Sequence, residues 1–148
     1  MDNKGTIAID NITDIVLTKA DYCWNNGYNE FTFACKINGK EDEIYLTEER
    51  HDDGTSFIIN SKTDDIWEKL SPNDAYKLED ILQEKRQYGV YHNKIEKLTT
   101  LQDCEYMKWD FMENDSPYFN KVRSQLQSEL NMKKEELQLE NDDIDLTL

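Results

Sequence analysis

The chemistry this chain can offer lies mainly in its carboxylates. Glu41, Asp42, Glu43, Glu48, Glu49, Asp52 and Asp53 gather between positions 41 and 53, against Lys40 and Arg50. A second group, Asp142, Asp143 and Asp145, follows Glu140-Asn141. Carboxylates held on a rigid surface at phosphate-like separations can occupy the Lys and Arg side chains that line a nucleic-acid-binding groove. These ten residues are the candidate partner-binding set. His51 beside Asp52 and Asp53 has the donors for a metal or an acid–base pair, but the trio reads as a polar hairpin turn. The only other histidine, His92, has no partner legible in the sequence. Asp142-Asp143-Ile144-Asp145 lacks the glycine and the distal bidentate glutamate of a calcium-binding loop. Cys23, Cys35 and Cys104 form no CxxC pair, and no GxSxG, HExxH, P-loop or GxGxxG occurs. No catalytic residue, metal or cofactor is therefore expected, and the chain is read as a non-enzyme. The remaining enzymatic reading is a dispersed hydrolase site combining a cysteine with acids.

The acids at 41–53 must be positioned by the stretch from Asn29 to Asn60, which reads as a β-meander with strands near 30–37, 42–49 and 55–60. Asn38-Gly39 is the preferred pair for a two-residue type I′ turn, because both positions need φ > 0. That turn sets Phe33 opposite Ile44 and Phe31 opposite Leu46 on one face. Lys36 and Glu41 then meet on the other, as a half-buried ribbon requires. Cys35 falls on the apolar face, which suits an inert thiol. Asp52-Asp53-Gly54 makes the next turn. A two-residue turn at Asp53-Gly54 sets Ile59 opposite Glu48, so a bulge or a longer loop is expected there. Residues 11–25 carry both helical spacing (Ile12, Ile15, Val16, Ala20, Cys23, Trp24) and a β-rich run (Ile15-Val16-Leu17-Thr18). A strand over 12–19, outside the meander, is expected. Asn25-Asn26-Gly27 is a turn on either reading.

The chain then becomes helical. Ser61 or Thr63 caps a short helix carrying Ile66, Trp67 and Leu70. Ser71-Pro72-Asn73-Asp74 is a helix start, with Ser71 as N-cap and Pro72 at the first helical position. Gly89 is expected to end that helix, and a further one carries Ile95, Leu98 and Leu101. Cys104, Met107 and Phe111 share a helical face, with Trp109 and Met112 adjacent. Ser116-Pro117 repeats the cap-plus-proline start, and Phe119, Val122, Leu126, Leu130 and Leu137 form an amphipathic stripe. That stripe is expected to cover the Phe31/Phe33/Ile44/Leu46 face, and pairing with its own copy in a homodimer is the competing use. The fold class is α+β, an antiparallel three- to four-stranded β-meander followed by and packed against several helices. One domain is expected over 1–139, with 140–148 an acidic tail that is disordered in isolation.

Composition supports a folded, acidic binding protein. Of 148 residues, 37% are hydrophobic, and Trp 3, Tyr 8 and Phe 5 supply core area that the aliphatic count lacks. The net charge of -15 repels nucleic acid and anionic membranes and favours basic partners, including proteins that themselves bind nucleic acid. The odd cysteine count suits reduced thiols, no signal peptide is indicated, and no apolar run approaches the ~20 residues that span a bilayer. A cytoplasmic location is expected. Tyr22, Trp24, Tyr28 and the segment from Tyr106 to Met112 are dense in aromatics, which serve either the core or interface hot spots.

In size, acidity, aromatic content, α+β pattern and want of catalytic motifs, the whole chain resembles the small acidic inhibitors that phages carry against bacterial defence, the anti-CRISPR and nucleic-acid-mimic class. The resemblance is one of overall character. It implies an inhibitor, acting in the host bacterial cytoplasm, that binds a basic nucleic-acid-binding protein such as a CRISPR nuclease and blocks nucleic-acid access. The alternative is an acidic assembly module, a homodimer through its C-terminal helix.

Overall fold

The computed structural model describes residues 5–62 and 66–146, apart from the side chains of Trp24 and of residues 141–146. Four strands, β1 (Ile12–Cys23), β2 (Tyr28–Ile37), β3 (Lys40–His51) and β4 (Gly54–Ser61), form one antiparallel sheet in the order β1-β2-β3-β4. Four helices follow: α1 (Ile66–Lys69), α2 (Pro72–Glu96), α3 (Leu101–Glu113) and α4 (Pro117–Leu146). The architecture is thus α+β, a sheet followed by helices. The chain divides into two compact units, Met1–Arg86 and Gln87–Leu148, with α2 contributing to both.

The sheet is set by its first hairpin. Asn38 and Gly39 have φ of 52° and 79°, the left-handed pair that a type I′ turn requires. The register follows: Phe33 faces Ile44, Phe31 faces Leu46 and Lys36 faces Glu41. In the second hairpin the turn residues are Asp52 and Asp53, one position earlier than expected, and Gly54 opens β4 opposite His51. Ile59 then faces Leu46 on the apolar side, and no bulge is needed there. The bulges are in β1 instead. Its pairing with β2 shifts between Thr13 and Val16 and again between Leu17 and Lys19, and Asp14 sits at a φ of 55° in the first shift. Each shift absorbs an extra residue, so Ile12, Leu17 and Ala20 face one side despite their irregular spacing. The strand extends to Cys23, beyond the expected 12–19.

One sheet face is apolar: Phe31, Phe33, Ile44 and Leu46 are fully buried. Its cover is α1, the first part of α2 and Leu70 between them, with Ile66, Leu78 and Leu82 likewise buried. Helix α2 starts as its sequence dictates, with the Ser71 hydroxyl accepting from the Asp74 N–H at 3.2 Å. Ser61 performs a similar service for the Ile66 N–H at 3.3 Å, and Thr63 lies outside the described residues. A network ties α2 to the sheet. Arg86 donates to Glu48 at 3.3 Å and to Gln83 at 3.2 Å, and its guanidinium lies 4.3 Å from the centre of the Phe31 ring. Asn29 donates to the other Glu48 oxygen at 3.1 Å.

Helix α2 does not stop at Gly89 but continues to Glu96. A mid-helix glycine costs about 1 kcal/mol, and the packing of Tyr88, Tyr91 and Ile95 just beyond and before it outweighs that. These residues belong to the core of the second unit, with Cys104, Met107 and Phe111 of α3 and Phe119, Val122, Leu126, Leu130 and Leu137 of α4. Tyr91, Phe111 and Phe119 form an aromatic trio with ring centres 4.9–5.4 Å apart. The α4 stripe, expected to cover the sheet, finds these partners within its own helical unit. Helix α3 is capped by Thr100, whose hydroxyl accepts from the Asp103 N–H at 3.1 Å. The stretch 140–148, expected as a disordered tail, begins on α4, which continues to Leu146.

Phe33, fully buried between Leu17 and Ile44, tests the sheet core. Phe33→Ala is expected to lower stability by about 3–5 kcal/mol. Urea unfolding measures this, and a loss below ~1 kcal/mol would mean that the apolar face is not packed as described.

Candidate interaction surface

With Phe31, Phe33, Ile44 and Leu46 turned inward, strand alternation sends their neighbours to the opposite face. That second face carries Val16, Lys19 and Asp21 from β1, and Tyr28, Glu30, Thr32, Ala34 and Lys36 from β2. From β3 come Glu41, Glu43, Tyr45, Thr47 and Glu49, and from β4 Ser56, Ile58 and Asn60. No element covers it among the described residues: Val16 is 59% and Ile58 42% exposed, Glu41 is exposed, and Asp21, Glu30, Glu43 and Glu49 are half-buried around a buried Thr32. Asp21, Glu30, Glu41, Glu43 and Glu49 stand on it against Lys19 and Lys36, and Lys62 follows β4 beside Glu43.

The placement is not what a stable sheet would choose. Asp21 and Glu30 lie directly opposite each other, an arrangement of like charges that destabilises a strand pair. Lys19 offsets it from the same strand, 3.3 Å from Asp21. At the other end of the sheet Lys36 lies 3.7 Å from Asp14 and faces Glu41. Here Asp14, Lys36, Glu41, Asp42, Glu43 and Lys62, with Ala34 and Cys35, line a groove of about 520 Å³. Glu43 accepts from the Tyr45 hydroxyl at 2.8 Å, which raises the Tyr45 pKa. Burial, reinforced by Asp42 and Glu43, pushes the Cys35 thiol up to about 11. Such a thiol stays protonated and is no nucleophile. All three cysteines are free, and burial also raises Cys104.

The acids singled out in the sequence thus divide. Glu41, Glu43 and Glu49 share the open face. Asp42 and Glu48 have the parity of the core face, and Glu48 is held by Arg86 and Asn29, so its charge serves the fold. Asp52 and Asp53 are exposed in the β3–β4 turn, and His51 bonds Ser56 at 2.8 Å and lies 3.6 Å from Glu49. The side chains of Asp142, Asp143 and Asp145 lie outside the described residues. Asp21 and Glu30 are the additions. The place of Asp21 opposite Glu30 was readable only once the β1 bulges were known.

The aromatic segment divides as well. Met107 and Phe111 are core, whereas Tyr106, Trp109 and Met112 are 59%, 58% and 64% exposed. In the first unit, Trp67 and Tyr76 flank an apolar hollow of about 170 Å³ with Leu70, Pro72 and Ala75. Tyr22 packs edge-on to Phe31 at 5.8 Å, and the Trp24 side chain lies outside the described ones.

His92 gains partners that sequence separation had concealed. One ring nitrogen bonds Glu129 of α4 and the other lies 3.0 Å from Glu96. Tyr88 stacks on the imidazole at 5.3 Å and donates to Glu129 at 2.7 Å. The bond to Glu129 raises the His92 pKa against the opposing effect of burial, and the charges of Glu129 and Glu96 add to it. Burial and Glu129 push the Tyr88 hydroxyl up to about 12. Both ring nitrogens are occupied by carboxylates of the protein itself, so the cluster is an ion-paired link between α2 and α4. Among the described residues no group of three or more His, Cys, Asp and Glu side chains is arranged to hold a metal, and no helix is long and apolar enough to cross a membrane.

Comparison with protein-family models, curated proteins and solved structures finds no match.

The His92 link has a pH dependence of definite sign. A histidine whose pKa is raised on folding contributes stability that is complete below its unfolded value, about 6.5, and is lost as the pH rises through the higher folded value. Thermal melts are therefore expected to show the helical unit losing stability above about pH 6.5, with His92→Gln reducing the slope. A wild-type slope that the variant keeps would remove His92 as its source.

Proposed function

We propose that the chain is a non-enzymatic inhibitor that presents its open sheet face to the basic groove of a nucleic-acid-binding protein, such as a CRISPR effector nuclease, and so blocks nucleic-acid access. The observation that carries this reading is the common placement of Asp21, Glu30, Glu41, Glu43 and Glu49 on the open sheet face, five carboxylates against Lys19, Lys36 and Lys62. Same-face neighbours along a strand stand about 6–7 Å apart, and neighbouring strands about 4.8 Å. Such an array offers lysine and arginine side chains a rigid set of anions in place of phosphates, and steers association through its field. The opposed Asp21 and Glu30 support the reading further. Their repulsion is a cost that core packing does not require, and a basic partner would relieve it. Tyr28, Tyr45, Val16 and Ile58 add apolar area between the charges.

The experiment is binding to purified RNA-guided nucleases, with and without guide RNA, across a range of salt, alongside their DNA-cleavage activity. Affinity is expected to fall as salt rises. The triple charge reversal Glu41→Lys, Glu43→Lys and Glu49→Lys is expected to weaken binding at least tenfold, about 1.4 kcal/mol or more, and to slow association more than it speeds dissociation. Affinity that is indifferent to salt would sink the electrostatic mechanism. A triple variant that binds and inhibits like wild type would sink the assignment to this face.

A further inference from the structure

Helix α3 carries a second exposed surface, in the helical unit and built differently from the sheet face. Residues advance about 100° per position around a helix. Cys104, Met107 and Phe111 define the buried side, and Trp109 falls almost opposite them, flanked by Tyr106 and Met112. Each of these three is more than half exposed. Tyr106 is held in place by Gln102, whose amide donates to its hydroxyl at 3.0 Å. Glu105 and Glu113 interleave with the rings on the same side. Ordinary surface helices do not put Trp, Tyr and Met together facing water.

The C-terminal end of α3 adds an independent feature. Asp110, Glu113 and Asp115 line a shallow hollow of about 470 Å³ with Tyr91, Lys94 and Asn114. The negative end of a helix dipole disfavours carboxylates and favours cations, yet the last turn of α3 has no basic residue. Arg123 reaches the carbonyls there, donating to Phe111 O at 2.6 Å and Asn114 O at 2.8 Å. Lys94, the hollow's own cation, lies over the Tyr91 ring at 5.4 Å from its centre. Among the described residues, none of the three carboxylates forms an ion pair.

We infer that this end of α3 is a docking site for an arginine-bearing segment of a protein partner. The guanidinium enters the Asp110/Glu113/Asp115 hollow, and the neighbouring apolar side chain and a second arginine lie on Trp109, Tyr106 and Met112. Charge complementarity selects the occupant: Arg123 serves the carbonyls at the end of α3, and the three carboxylates, without an ion pair among the described residues, ask for a further cation. The adjacent indole face favours arginine, which is planar and stacks, over lysine. An acidic chain such as a second copy of this protein is disfavoured on the same grounds. The inference does not depend on the sheet face.

The test uses the full chain and labelled Arg-Leu-Arg, Lys-Leu-Lys and Glu-Leu-Glu peptides, read by fluorescence anisotropy. Binding is expected in the order Arg, Lys, Glu, with the acidic peptide at background. Trp109→Ala is expected to weaken the arginine peptide about tenfold or more, and Asp110→Asn with Glu113→Gln and Asp115→Asn to abolish it. Unchanged circular dichroism and melting show that the variants fold. Trp109→Phe, which keeps a ring, is expected to retain part of the affinity. In the sheet variant carrying Glu41→Lys, Glu43→Lys and Glu49→Lys, binding of this peptide is expected to persist. Failure there with α3 binding intact would therefore count against the sheet reading alone. Equal binding of all three peptides, or equal loss in the sheet and α3 variants, would overturn the inference as non-specific charge. A concentration-dependent dimer lost on Trp109→Ala would overturn it in favour of self-association.

Discussion

The type I′ turn at Asn38-Gly39 decides which carboxylates reach solvent. Side chains alternate across a strand, so a slip of one residue in the β2–β3 pairing would send Glu41, Glu43 and Glu49 into the apolar face beside Phe31 and Phe33 and bring Ile44 and Leu46 out. Two residues with φ > 0 forbid that slip, because only one turn length and one twist fit them. The burial of four large side chains then reinforces the turn. The acidity of the open face is thus a consequence of register and would not survive a looser loop. The same alternation explains why Glu48 and Glu49, adjacent in sequence, have opposite fates. One is tied to Arg86 and Asn29, and the other faces water.

The β2–β3 hairpin was legible because its determinants are local: a turn pair, an alternating pattern and an opposite-charge match, all within about 20 residues. Strand β1 was not, and the reason is geometric. Its two bulges break the period of two, and the resulting spacing of Ile12, Ile15, Val16 and Ala20 imitates a helix. Gly89 misled for the opposite reason. Its local preference is to end a helix, but Tyr91 and Ile95 beyond it gain more from packing with Phe111 and Phe119 than the glycine costs. The first part of α2 covers the sheet and its second part joins the helical core, so the α4 stripe was free to pack elsewhere.

The candidate surfaces were legible only in outline. Counting acids identified Glu41, Glu43 and Glu49 but also admitted Glu48, because charge in a sequence carries no face. Asp21 and Glu30 were missed because their pairing depends on the β1 register. On α3 the helical period did separate Cys104, Met107 and Phe111 from Trp109 and Met112. What it could not reveal is that, among the described residues, no element of its unit covers the second group. The His92–Glu129 contact spans 37 residues of chain and two helices, and nothing local announces it.

Both surfaces break local rules in the same direction. Asp21 opposes Glu30 across a strand pair, and three carboxylates gather at the negative end of α3. Each arrangement weakens the fold slightly, and apolar cores in both units make that weakness tolerable. A chain of net charge -15 also repels itself. Salt screens that repulsion and so strengthens the folded state, while it screens equally the attraction that would hold a basic partner. The same carboxylates therefore act with opposite sign on folding and on binding. A protein selected for stability alone would have neutralised them with nearby lysines, as Lys19 does for Asp21 on the same strand and Lys36 for Asp14 on the neighbouring one. Among the described residues, Glu30 on the sheet and Glu113 on α3 lack such a lysine, and that is the physical basis for the proposal that a basic partner docks on these faces.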